Sequence, residues 1–216
     1  MRRGLFIVLE GGDYTGKGVQ SIKLAEHITN LSEGNDVLIT HEPTWRAREI
    51  KRKLMEDKDA YSDAEKMAEL YVEDRRIHTG ILIEPNLNEG VIVIGNRYSL
   101  STCIYQSLQG VALSKLIEMH KVPEILVPDL TILLDISPGT ADERARKRGQ
   151  APEKKFEANR GFRNQVYQKY LEIALSTDYT ENLGSVDVVD GNSEIEQVAE
   201  KVQRVFATSY SNLLKE

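Results

Sequence analysis

Five short apolar runs punctuate the chain: LFIVLE at 5–10, DVLITHE at 36–42, VIVIGN at 91–96, LTILLDI at 130–136 and VDVVD at 186–190. Such near-continuous apolar runs are the pattern of strands buried on both sides in a parallel sheet. Between them the period changes. Ile22, Leu24, Ala25 and Ile28 fall at helical spacing within residues 17–31. A long amphipathic stretch covers 63–84, and shorter ones cover 99–108 and 112–121. Ser137-Pro138 opens a helix over 138–148, and residues 162–176 and 193–214 supply the last two. Strand alternating with helix predicts an α/β fold with one five-stranded parallel sheet covered by helices on both faces. Ligands of such folds sit beyond the carboxyl ends of the strands, so chemistry is to be sought there.

Composition narrows the class. The 216 residues, 40% hydrophobic and 29% charged, suit a single domain, 1–216, with a sizeable core. A net charge of -6 argues against nucleic acid or an anionic membrane as partner. The basic residues are nonetheless clustered, in RAREIKRK (46–53), RARKRG (144–149) and KKFEANRGFR (154–163), and the first cluster reads mostly as a solvated helix face. The apolar run at 5–9 is too short for a signal peptide, and no run approaches the length of a membrane span. Cys103, the single cysteine, excludes an internal disulfide and any multi-cysteine metal site, and reads as a reduced thiol in the cytoplasm.

The first strand leads into GGDYTGK, residues 11–17, and then into a helix. That is the setting of a phosphate-binding loop. The backbone N–H groups of Gly11, Gly12, Asp13, Tyr14, Thr15 and Gly16 wrap a phosphate, the helix N-terminus adds its dipole, and Lys17 reaches the β- and γ-phosphates. The next position should carry a hydroxyl for magnesium, and it holds Gly18, followed by Val19. After the second strand comes HEPTW (41–45), and after the third NRYSLSTCIYQ (96–106), which places Arg97 to bridge two phosphates. Tyr71, Arg75 and His78 share one helix face by spacing, as do Ser101, Thr102 and Tyr105 more loosely. Taken on spacing alone, these two sets read as core packing and solvated polar groups.

Taken in order, FIVLEGGDYTGKGVQ, HEP, LYVEDRRIH, NRYSLSTCIYQ, PDLTILLDI and KKFE resemble the thymidylate kinase family over nearly the whole chain. The resemblance implies a three-layer nucleoside-monophosphate-kinase fold with a short basic lid at about 149–161. It implies transfer of a phosphoryl group from ATP to dTMP with magnesium, in dTTP synthesis, by a homodimer. Asp13 would face the deoxyribose 3′-hydroxyl and the metal. Tyr71 matches the aromatic that stacks on thymine, Arg75 the guanidinium on the carbonyl edge of the base, and Arg97 the arginine on the acceptor phosphate. Thr102 falls near the base N3, with Ser101 beside it. Tyr105 crowds the sugar 2′ position, and Glu42 and Pro43 form the acceptor-side loop. With a neutral Tyr14 in the loop, the family pattern moves the cationic help to the lid, where Arg144, Arg148, Lys154, Lys155 and Arg160 are available; Arg148 and Lys155 are the expected catalytic pair.

Three positions depart from the family pattern. Gly18 lacks the hydroxyl, Asn96 replaces an aspartate, and the TWR of 44–46 replaces a GGT, which shifts acceptor-phosphate contacts toward Arg46 or Arg48. Magnesium can be held largely by substrate phosphates and water, so activity is still expected. The alternatives are a broader pyrimidine deoxynucleoside monophosphate kinase, and a nucleotide-binding homologue with weak or no turnover.

Overall fold

The computed structural model describes residues 2–31, 36–57, 59, 62–147, 149 and 160–213. β1 (Phe6–Glu10) is buried at every position, which only the middle of a doubly covered sheet offers. It lies at the centre of a five-stranded sheet of order β2-β3-β1-β4-β5, with β2 at Val37–His41, β3 at Ile92–Asn96, β4 at Leu130–Asp135 and β5 at Val186–Asp190. Every pairing is parallel. The connecting helices are α1 (Lys17–Leu31), α2 (Arg48–Glu56), α3 (Ala64–His78), α4 (Glu84–Asn88), α5 (Ser99–Leu108), α6 (Leu113–His120), α7 (Pro138–Lys147), α8 (Arg160–Ala174), α9 (Thr177–Leu183) and α10 (Ile195–Leu213). The predicted α/β architecture is therefore the one observed.

Alternate side chains of β1 feed two cores. Ile7 and Leu9 pack with Leu24 and Ile28 of α1 and with Val198, Val202 and Phe206 of α10. Phe6 and Val8 point to the other face, against Ile83, Leu87 and Tyr98. The helices α5, α6, α8 and α9 form a larger cluster on that side, with Ile104, Leu116, Tyr170 and Tyr179 at its centre. The inner strands β1, β3 and β4 are thus sandwiched, and the three layers follow from their apolar residues at both parities. The edge strands β2 and β5, expected from their apolar runs to be buried, are largely half-buried or exposed, because each has a neighbour on one side only.

Two elements differ from the sequence expectation. The stretch predicted as one helix over 63–84 continues to Asn88 and passes through a π-helical turn, Thr79–Ile83, between α3 and α4. α9 follows the predicted end of the preceding helix and begins at a cap: the Ser176 hydroxyl accepts from the Tyr179 N–H at 3.3 Å. Most of the expected lid, 150–159, lies outside the described residues.

The order of the sheet places the functional loops side by side. Leu9, Asn96 and His41 stand in one row across β1, β3 and β2. The chain segments that leave these strands, Gly11 onward, Arg97 onward and Glu42 onward, therefore emerge together.

Candidate active site

After Glu10 the chain turns over Gly11 to Gly16 before α1 begins at Lys17. Gly11 has φ +141° and Gly16 φ +96°, and a Cβ on Gly11 would stand 2.8 Å from the Leu134 carbonyl oxygen. Packing fixes Gly12, where a Cβ would stand 2.4 Å from the Tyr167 ring. Tyr14 holds a left-handed φ of 64°, a strained place for a non-glycine residue. Lys17 Nζ donates to the carbonyls of Gly11 (2.9 Å) and Gly12 (2.7 Å), so its ammonium lies over the turn. The buried Thr15 hydroxyl donates to the Gly12 carbonyl at 3.1 Å. α1 carries no acidic residue in its first turn, so no side chain there offsets the positive end of its dipole. Lysine, helix end and turn amides together make an anion site. A Cβ at Gly18 would meet nothing within 4 Å, so the fold does not require the missing side chain to be absent.

Arg97 enters this site because β3 runs beside β1: its N–H donates to the Leu9 carbonyl at 3.0 Å. Its φ of 66° is again left-handed and is held by side-chain bonds. Nη2 lies 2.5 Å from Asp13 Oδ1, and Nη1 donates to Ser101 Oγ and Tyr170 Oη, each at 3.1 Å. The Tyr105 ring flanks the guanidinium at 5.5 Å. Beneath this cluster the wholly buried Glu10 accepts from the Tyr98 N–H (2.6 Å), the Ser101 N–H (3.2 Å) and the Ser101 hydroxyl (2.6 Å). Glu10 thus satisfies the first amides of α5 and orients Ser101 toward Arg97. The Tyr167 hydroxyl donates to the Asp13 carbonyl at 2.6 Å, so α8 holds the turn from outside.

Asp13 and Arg97 form one end of a cavity of about 440 Å³. Tyr71, Arg75, Thr102 and Tyr105 line it, as do Glu42, Pro43 and Ser101. The structure separates the three residues that share a face of α3. Tyr71 and Arg75 reach the cavity, whereas His78 sits behind it, with Nδ1 3.0 Å from Glu42 Oε1 and Nε2 2.8 Å from Thr40 Oγ1. Arg75 is 1% exposed, and a guanidinium at that depth must be matched on every side. Its Nε donates to Glu42 Oε2 at 2.9 Å, and Nη2 lies 2.7 Å from the same oxygen and donates to Thr102 Oγ1 at 3.2 Å. Nη1 bonds to Nε2 of His120, and the guanidinium carbon lies 4.6 Å from the centre of the Tyr98 ring. Burial works against the Arg75 cation, and Glu42, together with Tyr98 and Glu10, more than restores it. Burial also lifts the Tyr71 and Tyr105 hydroxyls above the usual phenol range, so both face the cavity as neutral groups.

Part of this wall carries no mark in the sequence pattern. Lys51, Leu54 and Met55 of α2 line the cavity, although the cluster at 46–53 reads as a solvated face. Tyr98 and Gln106 also contribute, and Tyr98 stood in the sequence within the NRY triplet. Arg46 stands elsewhere. It lines a second cavity of about 340 Å³ with Thr44 and Asn96, and its guanidinium lies 5.3 Å from the exposed Trp45 ring. Arg144, expected among the lid cations, donates to the carbonyls of Thr15 (3.1 Å), Gly191 (2.7 Å) and Ser193 (3.1 Å) and clamps the glycine turn from behind. Arg148 and Lys155 lie outside the described residues. Among the described residues no group of three or more His, Cys, Asp or Glu side chains is placed to hold a metal. Asn96 Oδ1 accepts from the Ser21 hydroxyl at 3.1 Å, a neutral pair at the position where the family pattern has an aspartate.

The geometry agrees with comparison to known proteins. The sequence profile of the family described as Thymidylate kinase matches residues 9–202. The chain is 36% identical to a thymidylate kinase of Ruegeria pomeroyi over 211 residues, covering 95% of each chain. It is 30% identical to one of Mycoplasma capricolum over 207 residues, 94% of each. It is 34% identical to a probable thymidylate kinase of Staphylothermus marinus over 204 residues, again 94% of each. A glycine turn gripping a lysine, an arginine beside it at the end of the neighbouring strand, and a match that spans both mark this chain as a member of the thymidylate kinase family.

Proposed function

We propose that the chain transfers the γ-phosphoryl group of ATP to dTMP, giving ADP and dTDP. One juxtaposition carries this reading: Arg97 borders both the glycine turn, through Asp13, and the 440 Å³ cavity that Tyr71 and Arg75 line. A phosphate held by the turn and a monophosphate bound in the cavity would thus share a cation.

The chemistry needs no strong base. The second pKa of a phosphate monoester is about 6, so the acceptor is mostly dianionic at neutral pH. Its oxygen attacks the γ-phosphorus, the bond to the β–γ bridging oxygen breaks, and ADP leaves with that electron pair. Lys17, Arg97 and the N-terminus of α1 stabilise charge spread over the transferring group. Arg148 and Lys155 are proposed to add lid cations to the same group. In the cavity Arg75 offers only N–H donors, so the base edge that it reads is a carbonyl. The Tyr71 ring is placed to stack on the base, Thr102 stands at its N3 side, and Asp13 and Tyr105 take the 3′ and 2′ positions of the sugar.

Magnesium supplies charge neutralisation across the β- and γ-phosphates when bound. The donors present fit a cation held mainly by phosphate oxygens and water, with Asp13 as the protein carboxylate at the site. We place the enzyme in the cytoplasm as a single-domain homodimer. The family resemblance supports the dimer, and a single cysteine, Cys103, with no second one for an internal disulfide, accords with the cytoplasm. The readings as a broader pyrimidine kinase or as an inactive binder are not favoured, because the family model and the relatives that match are those of thymidylate kinases.

A coupled assay tests the proposal. Purified protein with ATP and magnesium is offered dTMP, dUMP, dCMP and thymidine in turn. ADP release with dTMP well above the others is expected. ADP release with none of them would overturn the reading.

A further inference from the structure

His120 ends α6, distant in sequence from both the glycine turn and α3, yet it is 2% exposed and its ring meets Arg75. The hydrogen bonds fix its tautomer. Nδ1 lies 2.6 Å from the Leu116 carbonyl oxygen, which only accepts, so Nδ1 carries a hydrogen. Nε2 faces Arg75 Nη1, which only donates, so Nε2 carries a lone pair. The imidazole is therefore neutral and acts as an acceptor for a buried cation. Burial and the Arg75 charge both oppose its protonation.

Glu42 and Thr102 take Nε and Nη2 of the guanidinium, and His120 takes Nη1. Without the imidazole the Nη1 end would lose its hydrogen-bond acceptor among the described residues. An unpaired buried N–H recruits water or swings toward whatever acceptor it can find. Swinging would blur the one distinction that an all-donor group makes, between a base edge bearing a carbonyl and one bearing an amino group.

We propose that His120 is a positioning residue for the acceptor site: by accepting from Arg75 Nη1 it locks the guanidinium in the orientation that selects a 4-oxo over a 4-amino pyrimidine deoxynucleoside monophosphate. The inference rests on the reading of the cavity as a dTMP site.

Three variants test it: His120→Gln, whose amide oxygen reaches as an acceptor, His120→Asn, whose amide is one carbon shorter, and His120→Phe, which has no acceptor. Steady-state constants are measured for ATP, for dTMP, and for 5-methyl-dCMP, which keeps the methyl group and replaces the 4-carbonyl with an amino group. For the Asn and Phe variants KM for dTMP should rise about 10-fold or more, as expected for a lost bond to a charged group, and the preference for dTMP over 5-methyl-dCMP should narrow. KM for ATP should stay unchanged, and the Gln variant should remain within about 3-fold of wild type in every constant. If the Phe variant does not fold, the contrast between Gln and Asn decides. An unchanged preference in Asn and Phe, or losses that fall equally on ATP and dTMP, would overturn the proposal. A wild-type protein that turns over neither nucleotide would instead overturn the proposed function. The proposal then stands or falls on whether calorimetric affinity for dTMP over 5-methyl-dCMP narrows in the Asn variant.

Discussion

Acidification from pH 7 to pH 5 is expected to destabilise the fold by about 2 kcal/mol through His120 alone. Burial, reinforced by the Arg75 charge, holds this imidazole at about 3 against an ordinary 6.5. Between those values the unfolded chain binds a proton that the folded chain refuses, so stability falls as pH falls. At pH 7 the unfolded imidazole is mostly neutral and the linked cost is only about 0.2 kcal/mol; at pH 5 it is almost fully protonated and the cost reaches about 2 kcal/mol. The result depends on the unfolded value and hardly on the folded one, which need only lie below about 4. Carboxylates add acid sensitivity of their own, so the measurement is comparative. Urea unfolding is followed at both pH values for wild type and for His120→Gln, which cannot titrate and can still accept from Arg75. Wild type should lose about 2 kcal/mol more than the variant across the interval. Equal losses would refute the reasoning, because they would mean that the imidazole titrates alike in both states.

Other perturbations reach the glycine turn, α2 and the metal. Gly12→Ala places a Cβ 2.4 Å from the Tyr167 ring and should destabilise by roughly 1–3 kcal/mol in thermal melts, with Tyr167→Leu in the same background restoring part of the loss. Lys51→Ala removes a cation from the wall of the larger cavity and should raise KM for dTMP by about 3- to 10-fold while leaving KM for ATP unchanged. Gly18→Ser combined with Asn96→Asp should fold normally, since a Cβ at Gly18 meets nothing within 4 Å, and should lower the magnesium concentration for half-maximal rate. An unchanged magnesium requirement would show that neither position bears on the metal.

Much of the architecture was written locally. The apolar runs that predict β1, β3 and β4 are buried on both faces, so no alternative period competes, and their bounds agree with the structure to within a residue or so. The glycine turn was legible for the same reason: strand, turn and helix lie consecutively in the chain. Sheet order was not legible, because β1 pairs with β3 and β4 through contacts far apart in sequence. The same distance hid His120 and the tyrosines of α8, whose chemistry comes from what they touch rather than from their neighbours. Lys51 is exposed, as a cluster of basic residues on a helix predicts, but the cavity that its turn of α2 borders is formed by residues far apart in sequence and is invisible in that pattern. Tyr71 and Arg75 show the converse: spacing alone favours packing, and both line the cavity.

The neutral pair of Ser21 and Asn96 changes how the phosphate site works on the proposed reaction. Asn96 in place of an aspartate removes a negative charge from the end of β3, next to Arg97, while Lys17, Arg97 and the α1 dipole remain. Coulomb attraction for the phosphates therefore rises and that for a free divalent cation falls, by interactions that weaken only slowly with distance in a partly buried site. Asp13 cannot compensate in full, since its Oδ1 is held by Arg97 at 2.5 Å. A cation that the protein attracts weakly enters best when already bound to the nucleotide, where phosphate oxygens and water complete its shell. Gly18 fits this arrangement, because a hydroxyl there would serve a metal that the protein itself captures, and the space for it stands open. On the proposed reaction, binding of the nucleotide by the glycine turn and capture of magnesium would thus be separable, the first assigned to the protein and the second to its substrate.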